Sequence, residues 1–297
     1  MSEQDPLTAL LMDNPPEDVF DMRRIMDGFM LAVNTDLPEI GGSEDDVLIQ
    51  AHAGQDLTVD IHRPKGKGPF PVLIYLHGGG WILGSPKTHR RLGYRFAERG
   101  YLVFNVHYRL GPEAPFPAAY DDCTTALEWV IQNAESYGGD PSRIAMGGDS
   151  AGGNLTAAVS TLADAASALK AILLIYPAMD FASMNMDAGE IPGSEENMAE
   201  VMVNSYIGHD LENLLVDPRV SPIHVAEKLP PALITCGKDD SLIEDCRRTV
   251  QILNQHGREV ETDYHEGMPH GFCQLEEFFP QALQSIETMT EFLERRL

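Results

Sequence analysis

The sequence predicts an α/β protein, a mostly parallel sheet with helices on both faces. Three observations carry this. PVLIYL (71–76) is a continuous apolar run, as expected of a strand covered on both faces, and YLVFNVHY (101–108), AILLIYPAMD (171–180) and ALITCG (232–237) read as further strands. Stretches with helical spacing stand between them. Such alternation marks βαβ units, whose right-handed crossovers put helices on both faces of the sheet.

The elements follow in order. Residues 1–44 carry a helical pattern in which Val19, Met22, Ile25, Met26, Phe29, Met30 and Val33 recur at steps of three and four. It ends near LPEIGGSEDD, a turn-rich break, after which DVLIQA and LTVDIHRP read as two strands about a glycine turn. Behind the first buried run, THRRLGYRFAERG (88–100) is a helix ending in glycine. Behind the second, residues 118–138 form a helix with Ala126, Trp129, Val130 and Ile131 on its apolar side. RIAMGG (143–148) is a short strand and a helix follows from Ser150. After ALITCG come a helix near 243–256, the strand VETDYHE (260–266) and a terminal helix near 279–296. The alternation breaks between about 181 and 225, a stretch rich in Met, Gly, Pro and acids with one helix expected at 197–207. It is too long for an ordinary connection and reads as an insertion with a job.

Bulk properties narrow the function. With 297 residues, 43% of them hydrophobic, the chain can build one large α/β domain with insertions or two ordinary domains. Its 46 acidic residues outnumber 21 basic ones, a formal net charge of −25, which argues against nucleic acid or an anionic membrane surface as a partner. Cys123, Cys236, Cys246 and Cys273 form no CxxC motif and fall mostly in core elements, as buried reduced thiols do. The N-terminus has no basic region followed by a long apolar run, and no apolar run reaches the length of a membrane span. A cytoplasmic enzyme is the expectation.

Chemistry concentrates in four places. Gly148-Asp149-Ser150-Ala151-Gly152 matches G-x-S-x-G between a short strand and a helix, the strand–turn–helix context of a nucleophile elbow. The helix N-terminus directs free N–H groups and a positive dipole at the serine oxygen. LHGGGW (76–81) follows the first long buried strand, and its glycines let backbone N–H groups face a developing oxyanion. Gly78 and Gly79 are assigned to that oxyanion hole, with Ala151 as third donor. Trp81 is assigned to the substrate pocket, and His77 to anchoring the loop. An acid must follow the serine, and ALITCGKDDSLIED offers Asp239 and Asp240 just past a strand, where an open α/β sheet keeps its site. Spacing alone does not choose between them. HEGMPHGF (265–272) resembles the zinc motif HExxH but is one residue too long, and Gly267 and Pro269 break a helix between the histidines. No metal is assigned. His270, deep in a loop after the last strand, is the expected base, and His265 a structural residue.

Together HGGGW, YRLGPEAPFPAAYDD (108–122), GDSAGG and GMPHGF resemble the hormone-sensitive-lipase-like esterases of the α/β-hydrolase superfamily, over about residue 45 to the end. The resemblance implies an eight-stranded α/β-hydrolase sheet, a Ser–Asp–His triad and no cofactor. It implies a cap built from the N-terminal segment 1–44 and the insertion at 181–225, on a catalytic domain spanning 45–297. The family's D-P-L motif aligns with Asp240-Ser241-Leu242, which selects Asp240 over Asp239, with serine in place of proline. Met22, Met26 and Met30 would then line an adaptable entrance, or simply pack the cap. The implied activity is hydrolysis of short-to-medium acyl esters. The same triad could serve an amidase or deacetylase. A non-catalytic receptor on this fold typically lacks the histidine, which is present here. A homodimer through the last strand is the assembly that related folds suggest.

Overall fold

The computed structural model describes residues 6–183, 198–208 and 211–297. Among the described residues there are eight strands: β1 (Gly42–Gln50), β2 (Leu57–Arg63), β3 (Phe70–Leu76), β4 (Leu102–His107), β5 (Gly139–Asp149), β6 (Leu169–Ile175), β7 (Ala232–Gly237) and β8 (Val260–His265). They form one sheet in the order β1-β2-β4-β3-β5-β6-β7-β8. Only β2 runs against its neighbours, and all pairs from β4 to β8 are parallel. The helices are α1 (Pro6–Asp13), α2 (Val19–Val33), α3 (Arg90–Glu98), α4 (Ala118–Asn133), α5 (Ala151–Leu162), α6 (Met198–Ile207), the single turn α7 (Leu211–Leu214), α8 (Ile243–Gln255) and α9 (Gln281–Glu294). Among the described residues no helix is long and apolar enough to cross a membrane.

The central strands β3, β4, β6 and β7 are where the apolar runs place them, because each is sealed on both faces. Val72, Leu73, Ile74, Tyr75 and Leu76 of β3 have no exposed surface, and each such aliphatic side chain contributes about 1.5–3 kcal/mol on burial. One boundary is corrected. β1 begins at Gly42, inside the stretch read as helical, whose last helix ends at Val33. Ser43 to Asp46 are exposed on this edge strand, so they carry no inward-outward alternation to read.

The topology locates the site. The chain leaves β3 for β4 on one side and leaves β5 for β6 on the other. The connections diverge at the carboxyl ends of β3 and β5, and that divergence opens a crevice. HGGG follows β3 there, and Ser150 follows β5.

Helix α2 lies across this end. Asp18 caps α2 by accepting the N–H groups of Phe20 at 2.9 Å and Asp21 at 2.8 Å. Met22 packs on Ile82 and Leu83 together with Val19, Met26, Val201 and Met202. Both α2 and α6 therefore dock on the loop that follows HGGG. All four cysteines are buried and free.

Candidate active site

Ser150 sits at φ 53° and ψ −116°, between β5 and α5. That backbone is strained for a residue with a Cβ, a cost of about 1–3 kcal/mol that surrounding structure must impose. The imposition is visible. Its N–H donates to the Ile175 carbonyl at 2.8 Å, and its carbonyl accepts the Asn154 N–H at 3.0 Å. Gly152 allows the turn to close, since a Cβ there would run into the Leu76 carbonyl oxygen. The elbow thus presents the hydroxyl at the positive end of α5.

His270 reaches it from the loop after β8. Its Nε2 is 2.9 Å from Ser150 Oγ, and its Nδ1 is 2.9 Å from Asp240 Oδ2. A carboxylate only accepts, so Nδ1 carries the proton and the Nε2 lone pair faces the serine hydroxyl. The Tyr176 ring tilts against the imidazole at 4.8 Å between centroids. Asp240 is buried, and its other oxygen accepts the Leu242 N–H at 2.8 Å. Asp239 is exposed. The two aspartates that spacing could not separate are thus separated by direction: only Asp240 faces the histidine. His265 has different partners, Ser285 Oγ at 2.8 Å and Asp263 Oδ1 at 2.9 Å from its Nε2.

The oxyanion loop requires a correction. The Gly78 N–H donates to Asp149 Oδ1 at 2.9 Å and is not available to a substrate. Among the described residues the N–H groups of Gly79, Gly80 and Ala151 have no protein partner. Their directions follow from peptide geometry. His77 Nδ1 donates to the Gly78 carbonyl at 2.8 Å, so the Gly79 N–H, on the opposite side of the same planar peptide, faces away from His77. Ile82 and Leu83 donate to the Gly79 carbonyl at 3.1 and 3.0 Å, and this turns the Gly80 N–H the other way. The available pair in the loop is therefore Gly79 and Gly80. His77 anchors the loop from beneath: Tyr108 stacks on its ring at 4.2 Å and donates to its carbonyl at 2.6 Å. Burial, followed by the neighbouring His89, pushes the His77 imidazole well below its ordinary pKa, so it stays neutral.

The residues assigned to substrate contact fare differently. Trp81 is 1% exposed, stacked on Tyr206 at 4.8 Å and set against Phe181. It is a packing residue. So is Met22, buried against Ile82 and Leu83, and so is Met30, buried with Val33 and Leu275. Met26 is only partly buried in the Met22 cluster. Three neighbours of the site went unassigned from sequence: Asp149, Tyr75 and Met202. Asp149 stood in view beside the serine, but its partners lie 71 and 74 positions upstream. Met202 was hidden in the insertion.

A strand–turn–helix serine on an eight-stranded sheet with one reversed strand defines an α/β hydrolase. A family model described as alpha/beta hydrolase fold matches residues 73–274, and the chain belongs to this family, in its hormone-sensitive-lipase-like branch. It is similar to carboxylesterase NlhH of Mycobacterium tuberculosis, 32% identical over 252 residues that span 82% of this chain and 79% of that protein. It is 31% identical to the ethyl acetate hydrolase of Pseudomonas putida over 265 residues, 85% of this chain and 82% of that one. The structure superposes on a hyperthermophilic esterase from the archaeon Pyrobaculum calidifontis with a TM-score of 0.86 at 28% identity, covering 97% of this chain and 96% of that one.

Proposed function

We propose that the protein is a carboxylic ester hydrolase in which Ser150 is the nucleophile, His270 its general base and Asp240 the group that orients the imidazole. One observation carries this: the continuous contact from Ser150 Oγ through His270 to Asp240, with both links at 2.9 Å, beside three unengaged N–H groups. His270 takes the hydroxyl proton as Ser150 attacks the ester carbonyl. Asp240 balances the imidazolium. The oxyanion lodges on the N–H groups of Gly79, Gly80 and Ala151, each worth about 3–4 kcal/mol in the transition state. His270 then protonates the leaving alcohol, and water attacks the acyl-serine by the same route in reverse.

The relatives named as a carboxylesterase and an ethyl acetate hydrolase support small esters as substrates. In this reading α2 and α6 belong to a cap over the site. The expected segments 1–44 and 181–225 reach partly outside the described residues, and the first gives way to β1 at Gly42. Met26 with Met202 confines the acyl group to short and medium lengths. Four free, buried thiols suit a reducing compartment, the cytoplasm. Turnover of p-nitrophenyl acetate and butyrate tests the assignment. Ser150→Ala should lower kcat by about 10⁵–10⁶-fold, and a variant keeping full turnover overturns it.

A further inference from the structure

We propose that Asp149 is a positioning residue for the oxyanion loop, tying the orientation of its N–H donors to the nucleophile. This rests on the triad assigned above. Asp149 is 3% exposed, and its carboxylate collects donors from three separate positions. Oδ1 accepts the Tyr75 hydroxyl of β3 at 2.7 Å and the Gly78 N–H at 2.9 Å. Oδ2 lies 3.3 Å from His89 Nε2, just ahead of α3. His89 is itself held by Thr88, 2.9 Å from its Nδ1.

The geometry explains why this matters for catalysis. Gly78 is fixed on both of its peptide planes, by Asp149 on its N–H and by His77 on its carbonyl. Without the first contact Gly78 is held only by the Tyr108 hydroxyl on the His77 carbonyl and by the His77 imidazole on its own carbonyl, so its backbone has more play to rotate. The Gly79 N–H, which shares a plane with the Gly78 carbonyl, is then aimed less tightly, with His77 alone fixing that plane. Glycine offers no side chain to restrain that rotation. Asp149 also adjoins Ser150 in the chain, so one residue sets both ends of the distance an oxyanion must bridge.

A carboxylate suits the task because it only accepts, and three donors converge on it. A buried charge is seldom the most stable choice for such a position, so stability alone does not account for an aspartate here. Space is also tight, because a Cβ on Gly78 would meet Asp149 itself. The loop and the carboxylate fit only as a pair.

The test compares Asp149→Asn, Asp149→Ala and Tyr75→Phe in the full-length protein. Active sites are counted by fluorophosphonate labelling, and kcat is expressed per labelled site with p-nitrophenyl butyrate. Asn keeps one acceptor, and its per-site kcat should fall roughly tenfold. Ala should cost about 100-fold, the scale of losing one oxyanion donor. KM should change less than about threefold, while Ki for 1,1,1-trifluoroheptan-2-one, which mimics the tetrahedral adduct, should rise in step with the loss of kcat/KM. A merely structural aspartate would lower the melting temperature and the labelled fraction, leaving per-site kcat and Ki unchanged. That result in Asp149→Asn overturns the proposal. If Asp149→Ala does not fold, Asp149→Asn and Tyr75→Phe decide. Failure of the triad assignment would show separately, as turnover surviving in Ser150→Ala.

Discussion

The thioether of Met202 occupies the space that a Cβ on Gly80 would need. A helix of the insertion is thus pressed against an oxyanion donor, with no room between them for a methyl group. Gly80 also has φ +57°, a conformation costing a non-glycine residue about 1 kcal/mol. Gly80→Ala should fold, because a thioether on three rotatable bonds can swing aside, but kcat should fall tenfold or more as the displaced thioether crowds the oxyanion loop. Adding Met202→Ala should restore most of that loss. Gly152→Ala is the contrasting case. Its Cβ would meet the Leu76 and His77 carbonyl oxygens, which are backbone and cannot swing away, so soluble folded protein should not be recovered. Thermal melts and butyrate turnover of the three variants check this. Equal damage from Gly80→Ala and the double variant would remove Met202 from the explanation.

Asp240→Asn should lower kcat by about 10⁴-fold, the loss seen when an equivalent aspartate is neutralised and the imidazole takes the wrong tautomer. Asp239→Asn should stay within twofold, since Asp239 is exposed and only its N–H is engaged, on the Met268 carbonyl at 3.3 Å. Steady-state kinetics on both variants decide it, and the reverse ranking would reassign the acid.

These two cases show what the sequence makes legible. Strands β3, β4, β6 and β7 could be read because each is a dense apolar run between helices, and their burial depends on local composition. The elbow could be read because G-x-S-x-G and its flanks are contiguous. The Gly78 assignment failed because whether an N–H is free depends on a carboxylate 71 residues downstream. No spacing rule conveys that. Trp81 failed for a similar reason. An aromatic at the end of HGGGW reads as pocket lining until Tyr206, 125 positions later in the numbering, is found stacked on it.

Acid should destabilise the protein through buried imidazoles. Burial, followed by the Arg90 cation, lowers the His62 pKa from 6.5 to about 3. In this pH range the unfolded chain binds a proton that the native protein does not. The stability is therefore complete above about pH 6.5 and declines as pH falls toward 3. At pH 5 the shift of His62 alone costs about 2 kcal/mol. His77 and His107, also lowered by burial, act in the same direction. His62→Gln should make the loss of stability between pH 7.5 and 5 visibly shallower in urea denaturation. An unchanged slope would show that His62 titrates alike in both states.

Arg23 should prove the main polar anchor of the N-terminal helix. Its Nε donates to the Ile82 carbonyl at 2.6 Å and its Nη2 to the Gly111 carbonyl at 2.8 Å, while the guanidinium also forks onto Glu113. The salt bridge is the weaker part. Glu113 is half exposed, at 51%, and such pairs contribute about 0–1 kcal/mol. The two carbonyls are part-buried, and charge-assisted bonds to them are worth about 1.5–3 kcal/mol each. Arg23→Ala should therefore destabilise by about 3 kcal/mol or more and loosen the turn at Ile82 that aims the Gly80 N–H. Glu113→Ala should cost less than about 1 kcal/mol. Arg23→Lys should recover little, because an ammonium lacks the planar fork that serves both carbonyls at once. Urea denaturation of the three variants, with butyrate turnover alongside, gives the ranking. If Glu113→Ala is as damaging as Arg23→Ala, the ion pair and not carbonyl capture holds α2 to the oxyanion loop.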